Sequence, residues 1–291
     1  GAGFHPEFDL ATVPEIPETS LLEHAQSSLS GGSMGRLRCS GSEELTPEEF
    51  LSHIEGLSDR NKGCLVHCRR LPAREAKSLP IPPSMLLSEV DAMLTASGVP
   101  SSSLYSHQAQ AIAAALQRHH VVVTTPTASG KSLCFNVPVL NAVVLRGGEH
   151  GEVSGARALY VYPTKALAQD QLRALRKLSE GRLRGSAAAV LDGDTPMGER
   201  AGIIQEASIL LTNPDMLHVS ILPSHKRFAH LLGSLSYVVI DEAHMYHGAF
   251  GIHAGMVLRR LRRLCRLYAS EPTFICCSAT IGNAANHVSQ I

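Results

Sequence analysis

Val121-Val122-Val123-Thr124-Thr125-Pro126-Thr127-Ala128-Ser129-Gly130-Lys131-Ser132 passes from a β-branched run through a short loop into a segment that reads as a helix from Lys131 to Leu145, with Pro138 inside it. A strand, a loop ending in Gly-Lys-Ser and a helix are the setting in which a phosphate loop works. In the loop Thr125, Pro126, Thr127, Ala128, Ser129 and Gly130, the backbone N–H groups of all but Pro126, together with the helix N-terminus, would cradle phosphate oxygens. Lys131 would set a compact positive charge against the β- and γ-phosphates, and Ser132 would offer its hydroxyl to Mg²⁺. One position departs from the general pattern G-x-x-x-x-G-K-[ST]: Thr125 stands where the first glycine is expected. A chance Gly-Lys-Ser in an ordinary loop is the alternative at this point.

Further along, Tyr237-Val238-Val239-Ile240 runs directly into Asp241-Glu242-Ala243-His244. A buried strand that ends in two carboxylates delivers acids to a sheet edge. Asp241 would hold Mg²⁺, directly or through water, and Glu242 would orient and deprotonate an attacking water. An acidic turn is the plainer reading of that motif alone. The two motifs together, each following a strand, point to nucleotide hydrolysis. Between and around them lie further apolar runs, Ala158 to Tyr162, Ala187 to Leu191, Ile209 to Thr212 and Thr273 to Cys277. They are continuous rather than alternating, as parallel strands buried on both faces require. Leu167, Ala168, Leu172, Leu175 and Leu178 form one helical stripe between two of them. Alternating strand and helix predicts a parallel α/β domain with its ligands at the carboxyl ends of the strands.

The rest of the chain divides by composition. Residues 1–45 are rich in Ser, Gly, Pro and Glu and are expected to carry no packed structure. Residues 46–95 read as a small helical region. Thr46-Pro47-Glu48-Glu49 is a helix start with the capping-box spacing, and Ser84 to Ala96 reads as a second helix after Leu79-Pro80-Ile81-Pro82-Pro83. Residues 96–291 hold the α/β domain. Of 291 residues, 26 are Lys or Arg and 26 are Asp or Glu, so nucleic-acid binding needs a local patch rather than net charge. No apolar run reaches the roughly 18 residues of a membrane span, and no signal peptide is visible. The first residue is Gly1, so the chain is expected to be processed or cut from something longer. Seven cysteines, an odd count, read as reduced thiols of a nuclear or cytosolic protein. Cys64, His67 and Cys68 have the spacing of half a zinc site, but no second ligand pair follows, which favours a plain thiol cluster.

Seven segments taken in order resemble the motifs of superfamily 2 helicases of the DEAD/DEAH type. Ser106-His107-Gln108 resembles the adenine-reading Q motif, and Thr125 to Ser132 resembles motif I, whose first position often lacks glycine in this superfamily. Tyr162-Pro163-Thr164-Lys165-Ala166-Leu167-Ala168-Gln169-Asp170-Gln171 is similar to motif Ia. Asp192-Gly193-Asp194-Thr195-Pro196 and Thr212-Asn213-Pro214-Asp215-Met216-Leu217-His218 resemble the strand-contacting motifs that follow, Asp241 to His244 motif II, and Ser278-Ala279-Thr280 motif III. Leu71-Pro72-Ala73-Arg74-Glu75-Ala76, Phe250-Gly251 and Leu258-Arg259-Arg260-Leu261-Arg262-Arg263 narrow the likeness to the RecQ-like Hrq/MrfA group of DNA helicases. His247 stands where that group usually has Arg, and Ala243 where it often has Leu.

The resemblance implies a RecA-like P-loop NTPase fold, a parallel sheet with helices on both faces, with the motif III strand between those of motifs I and II. It implies ATP and Mg²⁺ as cofactors. Gln108 and Thr125 to Ser132 would hold the nucleotide, Ser132 and Asp241 the metal, and Lys131, Asp241, Glu242 and His244 would be catalytic. Ser278 and Thr280 would couple hydrolysis to the nucleic-acid groove. Thr164, Lys165, Thr212 and His218 are the candidates for gripping a DNA backbone; for Thr164 and Thr212 a turn or N-cap role is the alternative, and for His218 a satisfied structural one. The implied activity is 3′ to 5′ translocation on single-stranded DNA in DNA repair, in the nucleus, or in the cytoplasm if the source is prokaryotic. No second RecA-like half follows motif III, so this chain reads as the ATP-binding half, with the facing half as an expected partner. An ATP-gated binding module and a double-strand translocase remain open beside the helicase. The arginines of Leu258 to Tyr268 form either a solvated basic face or a docking face, and the absence of Trp makes base stacking a minor contributor.

Overall fold

A computed structural model describes residues 37–38, 44–56, 75–126, 128–146, 155–179 and 187–291. The chain divides into two compact units, with residues 15–76 in one and residues 77–291 in the other. In the first, β1 (Leu37–Arg38) pairs antiparallel with β2 (Glu44–Leu45), Leu37 opposite Leu45. Most of residues 1–45, expected to carry no packed structure, lie outside the described residues, and the two rungs are a backbone pair that needs no core of its own. Helix α1 (Pro47–Gly56) starts as read from the sequence: the Glu49 N–H donates to Thr46 Oγ1 at 3.2 Å and the Thr46 N–H to Glu49 Oε2 at 2.7 Å. The Cys64, His67 and Cys68 group and Leu71 to Arg74 lie outside the described residues.

In the second unit, β3 (Ser78–Leu79) pairs with β4 (Leu104–Tyr105). Between them a 3₁₀ turn, Pro83–Met85, precedes α2 (Ser88–Ala96). The helix expected from Ser84 therefore begins four residues later, because Leu87 is extended (φ −68°, ψ 146°) and breaks it from the Pro-started turn. Helix α2 also departs from its expected place in a separate helical region. Val90, Met93 and Leu94 are buried in the core of the sheet unit, and the Leu87 N–H donates to Asn141 Oδ1 at 2.8 Å. The helix and strand alternation then runs α3 (Ser106–Leu116), β5 (Val121–Thr124), α4 (Lys131–Arg146), β6 (Arg157–Val161), α5 (Lys165–Ser179), β7 (Ala188–Val190), α6 (Met197–Glu206) and β8 (Ile209–Thr212). It continues with α7 (Pro214–Met216), a π turn at Leu217–Ile221, α8 (Ala229–Gly233), β9 (Leu235–Ile240), a 3₁₀ turn at Ala243–Met245, α9 (Gly248–Leu267), β10 (Thr273–Ser278) and α10 (Ala284–Gln290).

The sheet has six parallel strands in the order β5-β10-β9-β6-β8-β7. Alternate residues of each strand face opposite cores, the period-2 consequence of the pleat. Val121, Val123, Tyr160, Val239 and Ile275 join Phe135, Leu140, Leu172 and Leu175 on the face covered by α2 to α5. Leu159, Val161, Val238, Ile240 and Cys276 join Leu217, Leu232, Leu258 and Leu261 on the other, under α8 and α9. Strand β9 is buried at every position, and all of its residues but Ser236 are apolar or aromatic. At the start of β6, Arg157 is 2% exposed and donates to the carbonyls of Ile204 at 3.0 Å and Gln205 at 2.6 Å, a cation set on the negative end of α6. Among the described residues no helix is long and apolar enough to cross a membrane, and Cys134, Cys265, Cys276 and Cys277 are buried free thiols.

Candidate functional site

The loop between β5 and α4 is shaped by two residues in the left-handed region, Ala128 (φ 60°) and Gly130 (φ 76°). Left-handed turns gather successive N–H groups onto one side, the form of an anion nest. Thr125, in the place of the usual first glycine, ties the loop across itself: its Oγ1 lies 2.6 Å from Ser129 Oγ. The Lys131 ammonium donates to the carbonyls of Thr125 and Pro126, both at 2.9 Å, and so lies across the loop's own mouth. Thr127 is outside the described residues. From α3, the Gln108 Nε2 donates to the Gly130 carbonyl at 3.0 Å while its Oε1 accepts the Tyr105 N–H at 3.0 Å. A Cβ on Gly130 would fall 2.4 Å from that Nε2, so the clamp requires glycine there. Gln108 is 2% exposed. One amide hydrogen and one lone pair are left for adenine, and the structure adds a loop-holding role to the expected one. His107, quoted in the motif but given no role by its sequence, sits with its Nε2 3.1 Å from the Ser129 carbonyl.

Asp241 follows β9 and Ser278 closes β10, so the sheet order sets motif III between motifs I and II. The Asp241 N–H donates to the Val161 carbonyl at 3.2 Å, and Asp241 Oδ1 accepts the Glu242 N–H at 2.9 Å. Burial pushes the Asp241 carboxyl up to about 6, against a smaller downward pull from that N–H and from Lys131. One buried carboxylate near an ammonium and the half-buried Ser132 is a donor set suited to Mg²⁺, which keeps much of its water and shares phosphate ligands. No group of three or more His, Cys, Asp or Glu side chains converges as a metal cage among the described residues.

Glu242 adopts φ 50°, ψ 43°, a strained backbone for a side chain with a Cβ. His244 Nδ1 is 3.2 Å from Glu242 Oε2 and also 3.2 Å from the Ala279 amide nitrogen, which donates to it. One nitrogen cannot both accept from the amide and donate to the carboxylate. With the ring proton on Nε2 the imidazole binds motif III; with a proton on Nδ1 it binds Glu242. His247, standing where Arg is usual, turns its Nδ1 to the His244 carbonyl at 3.2 Å and precedes α9. There Gly251 is held against Tyr246, whose carbonyl would lie 2.4 Å from any Cβ.

The four backbone-gripping candidates separate. Lys165 is exposed and paired with Asp194 at 2.7 Å. Thr164 is exposed, and its Oγ1 accepts the Leu167 N–H at 3.4 Å, the N-cap alternative. Thr212 is 1% exposed with its hydroxyl donated to the Leu191 carbonyl at 2.8 Å; the sheet interior occupies the group that was expected to reach DNA. His218 is exposed on the π turn. Sequence reasoning missed Arg200, whose guanidinium donates to the carbonyls of Thr195 at 2.9 Å, Asp192 at 3.3 Å and Gly193 at 3.3 Å and so holds the Asp192 to Pro196 loop in shape. No spacing marks such a residue, because its partners are carbonyls. Ser278 is fully buried and Thr280 exposed.

The raised Asp241 value has a consequence for stability. In the unfolded chain the group titrates near 4. Between there and about 6 the folded form holds a proton that the unfolded form has lost, so stability falls as pH rises through that window and stays lower above it. Asp241→Asn, measured in chelator, is expected to raise unfolding free energy by about 3 kcal/mol at pH 8, at ~1.4 kcal/mol per pH unit, and by nothing at pH 4. Equal unfolding midpoints of the two proteins at pH 8 would show that the carboxylate is not held against its preference.

A six-stranded parallel sheet with a phosphate loop after β5 and an Asp-Glu pair after β9 defines a RecA-like nucleoside-triphosphatase domain. Residues 105–288 match the DEAD/DEAH box helicase family, and the chain belongs to it. It is 40% identical over 235 residues to the ATP-dependent helicase YprA of Bacillus subtilis, covering 81% of this chain and 29% of that protein. It is 38% identical over 249 residues to the ATP-dependent helicase hrq1 of Schizosaccharomyces pombe, covering 84% of this chain and 22% of that one. A crystal structure of the helicase MrfA bound to DNA and AMPPNP superimposes with a TM-score of 0.72 at 40% identity, over 84% of this chain and 32% of that one. The chain thus spans less than a third of the length of each of these relatives.

Proposed function

We propose that this chain is the ATP-binding motor domain of a DNA helicase, nuclear or in a prokaryote cytoplasmic, that moves 3′ to 5′ on single-stranded DNA in DNA repair. The observation that carries the reading is the placement of the Lys131 loop and the Asp241–Glu242 pair on the ends of β5 and β9, with the Ser278 strand between them. Lys131 binds the terminal phosphates, Ser132 and Asp241 hold Mg²⁺, and Glu242 orients the attacking water and takes its proton. Mg²⁺ supplies charge neutralisation at the phosphates when it is bound. His244 Nδ1 stands between Glu242 and the Ala279 amide and can bond to one or the other, which would let motif III respond to the catalytic carboxylate. Lys165, Thr164 and His218 face solvent where a sugar–phosphate backbone can reach them, and Arg200 keeps the adjoining loop in shape. The DNA and nucleotide named for the MrfA structure support the same ligands here.

The test is strand displacement by the full-length protein on duplexes with a 3′ or a 5′ single-stranded tail, with ATP and Mg²⁺. Displacement of the 3′-tailed duplex alone is expected. ATP-dependent binding without displacement would establish the gated binding module in its place, and ATP-driven movement along blunt duplex the double-strand translocase.

A further inference from the structure

Glu242 stands at φ 50°, ψ 43°, a conformation that a residue with a Cβ keeps only where its surroundings enforce it. Its own turn supplies part of the restraint: the Met245 N–H donates to the Glu242 carbonyl at 2.8 Å and the Tyr246 N–H to the Ala243 carbonyl at 3.1 Å. A further restraint comes from residues 279–291. His287, on α10, places its Nε2 2.9 Å from the same Ala243 carbonyl oxygen. A carbonyl only accepts, so Nε2 carries a proton and donates it. Ala243 is fully buried, and the Tyr246 N–H and the His287 ring together engage both lone pairs of its oxygen.

That carbonyl belongs to the peptide that joins Ala243 to His244. Holding its plane restrains the turn on both sides: Glu242 one residue before, and after it the His244 ring, whose Nδ1 is 3.2 Å from Glu242 Oε2 and from the Ala279 amide nitrogen. Helix α10 is itself anchored. The His287 N–H donates to the Asn283 carbonyl at 2.9 Å, and Arg259 of α9 donates to the Gln290 carbonyl at 3.2 Å. Gly255 of α9 lies so close to the end of α10 that a Cβ there would fall 3.2 Å from the Ile291 carbonyl oxygen. The segment after β10 thus meets the motif II turn through the Ala279 amide and again through the His287 ring, across 35 and 44 residues of sequence.

We propose that His287 is a positioning residue for hydrolysis: its Nε2–H holds the Ala243 carbonyl and so keeps the motif II turn in the conformation from which Glu242 meets the attacking water. The inference rests on the reading of Glu242 as the base. His287 acts through the backbone of the turn, so its loss lowers turnover and spares ATP binding.

His287→Leu removes the donor, and His287→Gln returns one at nearly the same reach. Both are made in the full-length protein, alone and combined with Glu242→Gln, and are read by calorimetric ATP binding and by single-turnover hydrolysis in saturating single-stranded DNA. His287→Leu is expected to keep ATP affinity within about twofold and to lower the rate about tenfold, the rate equivalent of one hydrogen bond to a buried acceptor. His287→Gln is expected to recover most of that rate. In the Glu242→Gln background there is no base to aim, and His287→Leu is expected to cost less than about twofold. A merely structural role would lower the rate by the same factor in both backgrounds. That result, an unchanged rate, or a Gln variant as slow as the Leu variant would overturn the inference and leave Glu242 standing as the base. Normal hydrolysis by Glu242→Gln alone would overturn both. His287→Asn, whose amide nitrogen stops a bond short of the carbonyl, takes the place of the Leu variant should that one fail to fold.

Discussion

Glu242→Gln in the full-length protein is expected to leave Mg²⁺-dependent ATP binding within about twofold of wild type and to lower turnover by about 10²–10⁴. The carboxylate is the more open acid of motif II: Asp241 is 8% exposed, whereas Glu242 is half-buried. Its backbone is fixed by the N–H bond to Asp241 Oδ1 at 2.9 Å, so the side chain starts from a defined point. Glutamine keeps that geometry and volume and cannot accept a proton. Its amide oxygen can still accept from His244 Nδ1, but without the charge that favours a proton there the ring is weighted toward the Ala279 amide. The measurement pairs calorimetric ATP binding with steady-state hydrolysis in saturating single-stranded DNA. Normal hydrolysis by the variant would remove Glu242 from the chemistry, and lost binding would make it a ligand rather than a base.

Lys131→Ala is expected to weaken ATP binding about 100-fold, as two charge-assisted hydrogen bonds of ~1.5 kcal/mol are lost. ADP should lose less, because the missing charge is aimed at the terminal phosphates. The ammonium is already held over the loop by the Thr125 and Pro126 carbonyls, so little side-chain freedom has to be removed when phosphate arrives. Lys131 also lowers the Asp241 carboxyl by its charge, and without it the acid rises further, which compounds the loss where Asp241 must be ionised. Calorimetry with ATP and with ADP checks both parts. Equal losses for the two nucleotides would place Lys131 elsewhere than at the terminal phosphate.

The strands could be read from the sequence because burial on both faces favours apolar residues, as in β9 from Tyr237 to Ile240. The motif residues could be read because each follows a strand, where a parallel sheet puts its ligands. What stayed hidden was settled by partners distant in sequence. Helix α2 belongs to the sheet unit because Asn141 takes the Leu87 N–H, a bond that no local pattern announces. Thr212 reads as a polar strand end until the Leu191 carbonyl is seen to occupy its hydroxyl. The two-way position of His244 depends on the Ala279 amide, and the role of Arg200 on three carbonyls, groups that carry no side-chain signature.

Among the described residues, strand β5 lies at one end of the sheet and has a single neighbour, β10, with Val121 opposite Ile275 and Thr124 opposite Ser278. Among the described strands of this sheet, the one that carries the phosphate loop comes first in sequence and its partner comes last. Long-range parallel pairing of this kind is slow, because the loop must close before any contact rewards it. The β9, β6, β8 and β7 ladder can assemble without either of them. The nucleotide site thus rests on the pairing of the sheet that spans the most sequence, Val121 with Ile275. Bound nucleotide, by engaging the ends of β5 and β9 together, would fasten that seam.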